Sequence, residues 1–209
     1  MRSIGYKRLI IFFLSGKIKK NELELFILQR TKGNKKVVIT TILAFLGATA
    51  LGVLLHFTYE LCENNYFVAL LSPVNESIWE HLKLLFFPFL FTAAIEYLMY
   101  GTRTHNFFSA KLVGIISALL YVVSMYYTVA GAFGINTMAV NIAIFVIGTA
   151  IAYALPYRLL KSKSFGGGLW ETLAIICFAV IAVAFFIFTY RVPTLPIFRD
   201  PTDMKFGRL

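Results

Sequence analysis

Apolar residues gather into five long runs, separated by short stretches rich in polar residues or glycine. A helix rises 1.5 Å per residue, so about 20 residues cover the hydrocarbon core of a bilayer. The first run, residues 37–58, carries no charge and a single histidine. The second, residues 84–100, is broken by Pro88 and Glu96, and its helix begins near Ile78. The third and fourth, residues 112–129 and 138–155, are separated by Gly131, Gly134 and Asn136. The fifth contains residues 175–190 and starts near Leu169. This pattern predicts an all-α fold, a polytopic integral membrane helical bundle of about five transmembrane helices.

The flanks read differently from the runs. Residues 9–14 form an apolar patch of six, shorter than the apolar region of about 7–15 in a signal peptide, and Lys17, Lys19 and Lys20 follow it. An interfacial helix or part of a cytoplasmic cap is expected there. The chain therefore divides into a basic amino-terminal segment at 1–36, a transmembrane helical domain at 37–190, and a tail at 191–209 interrupted by Pro193, Pro196 and Pro201.

Composition supports a lipid-facing exterior. Only 14% of residues are charged, 59% are hydrophobic and the mean hydropathy is +0.76, whereas soluble domains carry about 25% charged residues. The net charge of +10 is unevenly placed, because residues 1–36 hold ten basic residues against Glu22 and Glu24. Arg103 and Lys111 follow the second run, and Arg158, Lys161 and Lys163 follow the fourth, while segments 59–77 and 130–137 have no Lys or Arg. Basic residues are enriched in short cytoplasmic loops. The expected location is a cell membrane, with the amino terminus cytoplasmic and the carboxyl terminus external. Membrane lipids are the expected partners of the basic segment, a homo-oligomer is open, and no nucleic acid is expected. Cys62 and Cys177 lie at different expected depths and form no Cys-x-x-Cys site, so no disulfide is expected.

Candidate chemistry is concentrated in HFTYELCENNYFVALLSPVNESIWEHLK, beginning at His56. Glu60, Glu63, Glu76 and Glu80 are four of the chain's ten carboxylates, and His56 and His81 are two of its three histidines. His56 and Glu60, like Glu76 and Glu80, stand four apart and share a helix face where the helix reaches them. Ser72 before Pro73, or Asn75, is the expected cap of the second helix. The alternating topology brings both groups to one membrane face. His56, Glu60 and His81 are the candidate metal ligands, with Glu76 or Glu80 completing the set; a divalent ion such as zinc suits those donors. Glu76 and Glu80 are the candidate catalytic carboxylates, one of them orienting a ligand or acting as general base. The competing structural reading has Glu80 paired with Lys83, Trp79 and Tyr59 anchored at the headgroup layer, and His56 bonded to a neighbouring helix.

Other features are ambiguous or exclude activities. Residues 61–74 suit an outer loop resting on the interface, or a short re-entrant segment. Glu96, deep in the second run, needs a partner, for which Lys111 and Arg103 compete. Pro88 predicts a bend that serves packing or opens a cavity. Gly166 to Gly168 lack the phosphate-loop spacing, and there is no Gly-x-Ser-x-Gly or His-Glu-x-x-His motif. Asp200 or Asp203 reaches the His56–His81 region if the tail docks.

The segments HFTYELCENN and SPVNESIWEHLKLLFFP, with NFFSAKLVG, YYTVAG and PTLPIFRDP further on, resemble a family of small bacterial multi-pass membrane proteins of unknown function. The resemblance covers most of residues 50–207. It implies that Asn75, Ser77, Trp79 and Lys83, beside the His and Glu residues, belong to a characteristic ligand-binding or structural motif, and that Asp200 belongs to a tail motif. Asn141 stands where the pattern is more typically acidic. Three functions remain open: a metal-dependent, hydrolase-like enzyme, a small-molecule or ion transporter or binding protein, and a non-catalytic assembly partner.

Overall fold

The structure, a computed structural model, describes residues 20–161 and 166–207, with side chains described from residue 34. The apolar patch at 9–14 and the rest of the first 19 residues lie outside the described residues. The chain forms two compact units, Met1–Thr40 and Thr41–Leu209. The second unit holds the helix packing and the polar clusters.

Among the described residues, five long helices account for the fold: α1 (Lys20–Leu61), α2 (Ile78–Met99), α3 (Phe107–Tyr126), α4 (Met138–Leu159) and α5 (Gly168–Tyr190). Each contains a segment long and apolar enough to cross a membrane: Asn34–Leu61, Ile78–Met99, Phe107–Ala132, Met138–Leu159 and Gly168–Tyr190. The third span outlasts α3 because a wider π-helical turn, Tyr127–Ala132, continues it. The protein is a multi-pass, all-α membrane protein, and lipid contacts its apolar exterior.

α2 is the least apolar span, with mean hydropathy 1.6 against 1.9–2.8 for the others, yet it is the most buried. Its polar side chains Glu80, Lys83, Thr92 and Glu96 are all buried. They face protein rather than lipid, as burial of polar groups in a bilayer requires. Around them pack Leu82, Leu85, Phe86, Phe87 and Phe89 of α2, Ile115 of α3, Ala152 and Tyr153 of α4, and Phe178 and Phe185 of α5.

At one end of the bundle Glu96 is fully buried and accepts hydrogen bonds from Lys111, Tyr100 Oη (2.6 Å) and Thr41 Oγ1 (3.2 Å). Lys111 is therefore the partner, and Arg103 is exposed. Burial, then the Glu96 charge, pushes the Tyr100 phenol up, which keeps it a donor. Nearby, Glu171 of α5 accepts from the backbone N–H groups of Phe108 and Ser109, both at 2.9 Å, and from Ser109 Oγ at 2.6 Å. A carboxylate from another helix thus satisfies the orphan amides that open α3.

From the Glu96 end toward the other, α1 packs through small residues. Ala44, Ala48 and Gly52 recur every four positions, and Ala44 and Ala48 are buried; such spacing lets helix backbones approach in a membrane. Pro88 lacks the amide that would bond the Leu84 carbonyl. That carbonyl faces Gly52, where an added Cβ would lie 2.5 Å from it. Pro88 and Gly52 together give the proline a packing role, and the next residue in the α1 series is His56.

Candidate metal centre

The turn into α2 is built from its own side chains. Ser77, with extended backbone (φ −68°, ψ 151°), is the N-cap, and its Oγ accepts from Glu80 N–H at 3.4 Å. Ser72 and Asn75 are not the caps. Asn75 Oδ1 accepts from Ser77 N–H at 3.0 Å, an Asx turn. Glu80 Oε2 reaches back to Val74 N–H at 3.0 Å. Asp200 of the tail takes the Glu76 amide, accepting from its N–H at 3.1 Å. The density of polar residues between Ser72 and Lys83 thus answers the hydrogen-bonding demand of a buried helix start.

Ser72 acts on α1 instead. Its hydroxyl donates to the Leu55 carbonyl and accepts from Tyr59 N–H at 3.1 Å, two groups one helical turn apart on either side of His56. A hydroxyl inserted at that point fixes the connector to α1 and holds the turn that carries His56. The connector itself turns at residues 62–64 and forms a 3-10 turn, Val68–Leu70. Ala69, Ser72 and Val74 are buried while Tyr66 and Phe67 are exposed.

These contacts bring three side chains together. His81 Nε2 lies 3.3 Å from His56 Nε2 and 3.4 Å from Glu76 Oε2, and one donor atom from each of the three residues falls within 4.8 Å of the others. His81 Nδ1 lies 3.0 Å from the Ser77 carbonyl. A carbonyl only accepts, so Nδ1 carries the proton and the Nε2 lone pair of neutral His81 points at the cluster. A ring nitrogen bonded to a backbone carbonyl is the usual orienting contact of a metal-ligating histidine. The donor spacing also fits. An ion bonded at about 2.0–2.1 Å in tetrahedral geometry holds its donors about 3.3 Å apart.

The other sequence candidates lie elsewhere. Glu60, one turn beyond His56, is exposed and outside this set. Glu80 is buried, its Oε2 shared between Val74 N–H and Lys83 Nζ at 2.6 Å. Lys83 Nζ also donates to the Ala69 carbonyl (2.9 Å) and Thr189 Oγ1 (2.6 Å), joining α2, the connector and α5. Trp79 stacks among Phe185, Phe188 and Phe198, with ring centroids 4.8, 5.4 and 4.8 Å away, which clamps the tail and α5 to α2. Asp200 is buried, and its Oδ1 accepts from Thr202 N–H at 2.8 Å and Thr202 Oγ1 at 2.5 Å.

The cluster opens onto a cavity of about 520 Å³ between α1, α2, α3 and α4. Val53, Leu82, Leu85, Val122, Ile144 and Phe145 form much of its apolar wall. Asn136 and Asn141, bonded to each other at 2.9 Å, also line it. Sequence reasoning did not find this cavity; its walls come from four helices whose apolar residues look alike in the chain.

In the metal-free protein a protonated His81 donates Nε2–H to Glu76 and holds that carboxyl below the usual range, against the opposing effect of burial and with help from the charges of both histidines. A carboxylate with a lowered folded-state pKa adds stability that is complete above its ordinary value, about 4.3, and is lost as pH falls through the lowered value. Thermal unfolding of metal-free protein should therefore show a stability loss below about pH 5 that is smaller in Glu76→Gln. Equal losses in both proteins would detach Glu76 from the acid sensitivity.

The chain belongs to DUF6512, a family of unknown function, which it matches over residues 27–208. No curated protein and no solved structure matches it.

Proposed function

Within this family, we propose that the protein is a membrane-embedded metalloprotein in which His56, Glu76 and His81 hold one divalent transition ion, and that the site supports hydrolase-like chemistry. The observation that carries this reading is the spacing of the three donors, 3.3 and 3.4 Å about His81 Nε2, combined with the Ser77 carbonyl that fixes the His81 tautomer. Two imidazoles and one carboxylate suit zinc or ferrous iron, and three protein ligands leave a coordination position open. In such a site the ion polarises a carbonyl or phosphoryl oxygen and makes water more acidic.

The chain's own residues have separate parts in this reading. His81 and His56 supply neutral nitrogen donors, and Glu76 supplies the negative charge. Ser72 and Ser77 position the two histidines. Glu80, Lys83 and Asp200 are positioning residues, since their polar atoms are committed to backbone groups and to each other. With the amino terminus cytoplasmic, the site sits at the outer leaflet.

Metal analysis of protein purified without affinity-tag histidines and dialysed against weak chelator tests the reading. One equivalent of a divalent transition metal is expected in the parent, and less than about a tenth of it in His81→Ala, because losing one of three ligands removes much of the binding energy. Glu60→Gln should retain the metal. A parent protein that binds no zinc, iron, manganese, cobalt or nickel, and gains no thermal stability from them, would refute the proposal.

A further inference from the structure

The cavity's mouth is as informative as its polar end. Four large apolar lining residues are at least half exposed: Val53 (51%) and Phe57 (53%) on α1, Met138 (77%) and Ile142 (50%) on α4. All four lie in segments that cross the membrane, while Glu76, Asn136 and Thr202, exposed polar residues of the lining, lie outside those segments. The cavity therefore has an apolar opening between α1 and α4 at the depth of the hydrocarbon, apart from its polar end at Glu76, Asn136 and Thr202. Inside, the wall is mostly apolar; besides His56, Glu76 and His81 its polar members are Tyr126, Asn136, Asn141 and Thr202. A volume of about 520 Å³ falls within the range of about 300–1,000 Å³ for sites that enclose a small organic ligand.

A chamber with an apolar side door and a polar end selects a molecule built the same way. We propose that the cavity admits a chain-bearing amphiphile laterally from the bilayer, with its hydrocarbon between α1 and α4 and an oxygen-bearing head group at His56, Glu76 and His81. This assignment of the substrate class rests on the metal-centre reading for the head group alone; the apolar route stands on the exposure of the mouth. The head group is an acyl or phosphoryl derivative, the oxygen chemistry that such a donor set binds. Gly52 keeps the wall thin where α1 passes the Leu84 carbonyl and the Phe145 ring, 2.5 and 2.7 Å from where a Cβ would sit.

Photolabelling of the full chain in lipid nanodiscs tests the proposal. Two probes share one diazirine-bearing alkyl chain, one ending in a hydroxamate and the other in a methyl group. The hydroxamate probe should label peptides that contain Val53 or Ile144. Ile142→Trp, which fills the mouth without touching the cluster, should lower that labelling at least about tenfold, equivalent to roughly 1.4 kcal/mol of binding, with metal content unchanged. Val53→Phe serves the same purpose should Ile142→Trp fail to fold. Equal cavity labelling by both probes in a metal-free protein would overturn the metal centre and uphold the lateral route. Metal-loaded protein labelled only on outer positions such as Leu98, Leu120 and Val180, and to the same extent in the filled variants, would overturn the lateral route and leave the metal centre intact.

Discussion

Lys111→Ala is expected to destabilise the protein by about 3–5 kcal/mol, the usual cost of stranding one member of a buried ion pair. Lys111 and Glu96 are both buried to within 1%, and Glu96 lies inside a membrane-spanning segment. Its other donors, Tyr100 Oη at 2.6 Å and Thr41 Oγ1 at 3.2 Å, supply no positive charge. The ammonium also lies 5.2–5.6 Å from the ring centroids of Phe89, Phe107 and Tyr153, so truncation removes packing as well as charge. The double variant Glu96→Gln/Lys111→Met should recover most of the loss, since it removes both charges at nearly constant volume. Unfolding in mixed micelles measures both effects. A single variant as stable as the parent would show that Glu96 is neutral or hydrated.

Lys83→Ala should be comparably costly, about 3–5 kcal/mol, and should also empty the metal centre. Its ammonium is fully buried and makes three bonds, to Glu80, the Ala69 carbonyl and Thr189. Removing it leaves the buried Glu80 carboxyl bonded to the Val74 amide without its cation, and frees the connector that places Ser72 on α1. His56 would then lose the contact that sets its position against His81. Thr189→Val removes one of the three bonds and should cost only about 1 kcal/mol with metal retained. Metal content measured on the folded fraction separates the two effects. If Lys83→Ala retained the parent's stoichiometry, the connector would not be what positions His56.

The five spans were legible because lipid imposes a one-dimensional constraint. A helix must hide its own backbone and run apolar for about 20 residues, and both demands can be read along a single chain. The placement of His56, Glu76 and His81 at one end followed from alternation of the spans. Their selection over Glu60 and Glu80 did not follow, because two glutamates four residues from a partner are equivalent in sequence. Ser77 and Glu80 do carry the Ser-x-x-Glu spacing that marks a helix start. That signal could have identified Ser77 as the cap and Glu80 as a residue that turns back toward the preceding backbone.

The sequence by itself determined the number of spans, their approximate limits and the polar end at which chemistry could gather, since each depends on local hydrophobicity and charge. Tertiary structure alone decided which carboxylate meets which histidine, that Lys111 rather than Arg103 answers Glu96, and that the tail's Asp200 closes the turn before α2. Those outcomes depend on distances between residues as many as 124 positions apart in the chain. Hydrogen-bond and ion-pair energies fall off over a few ångströms, so they are fixed by packing that local composition does not encode.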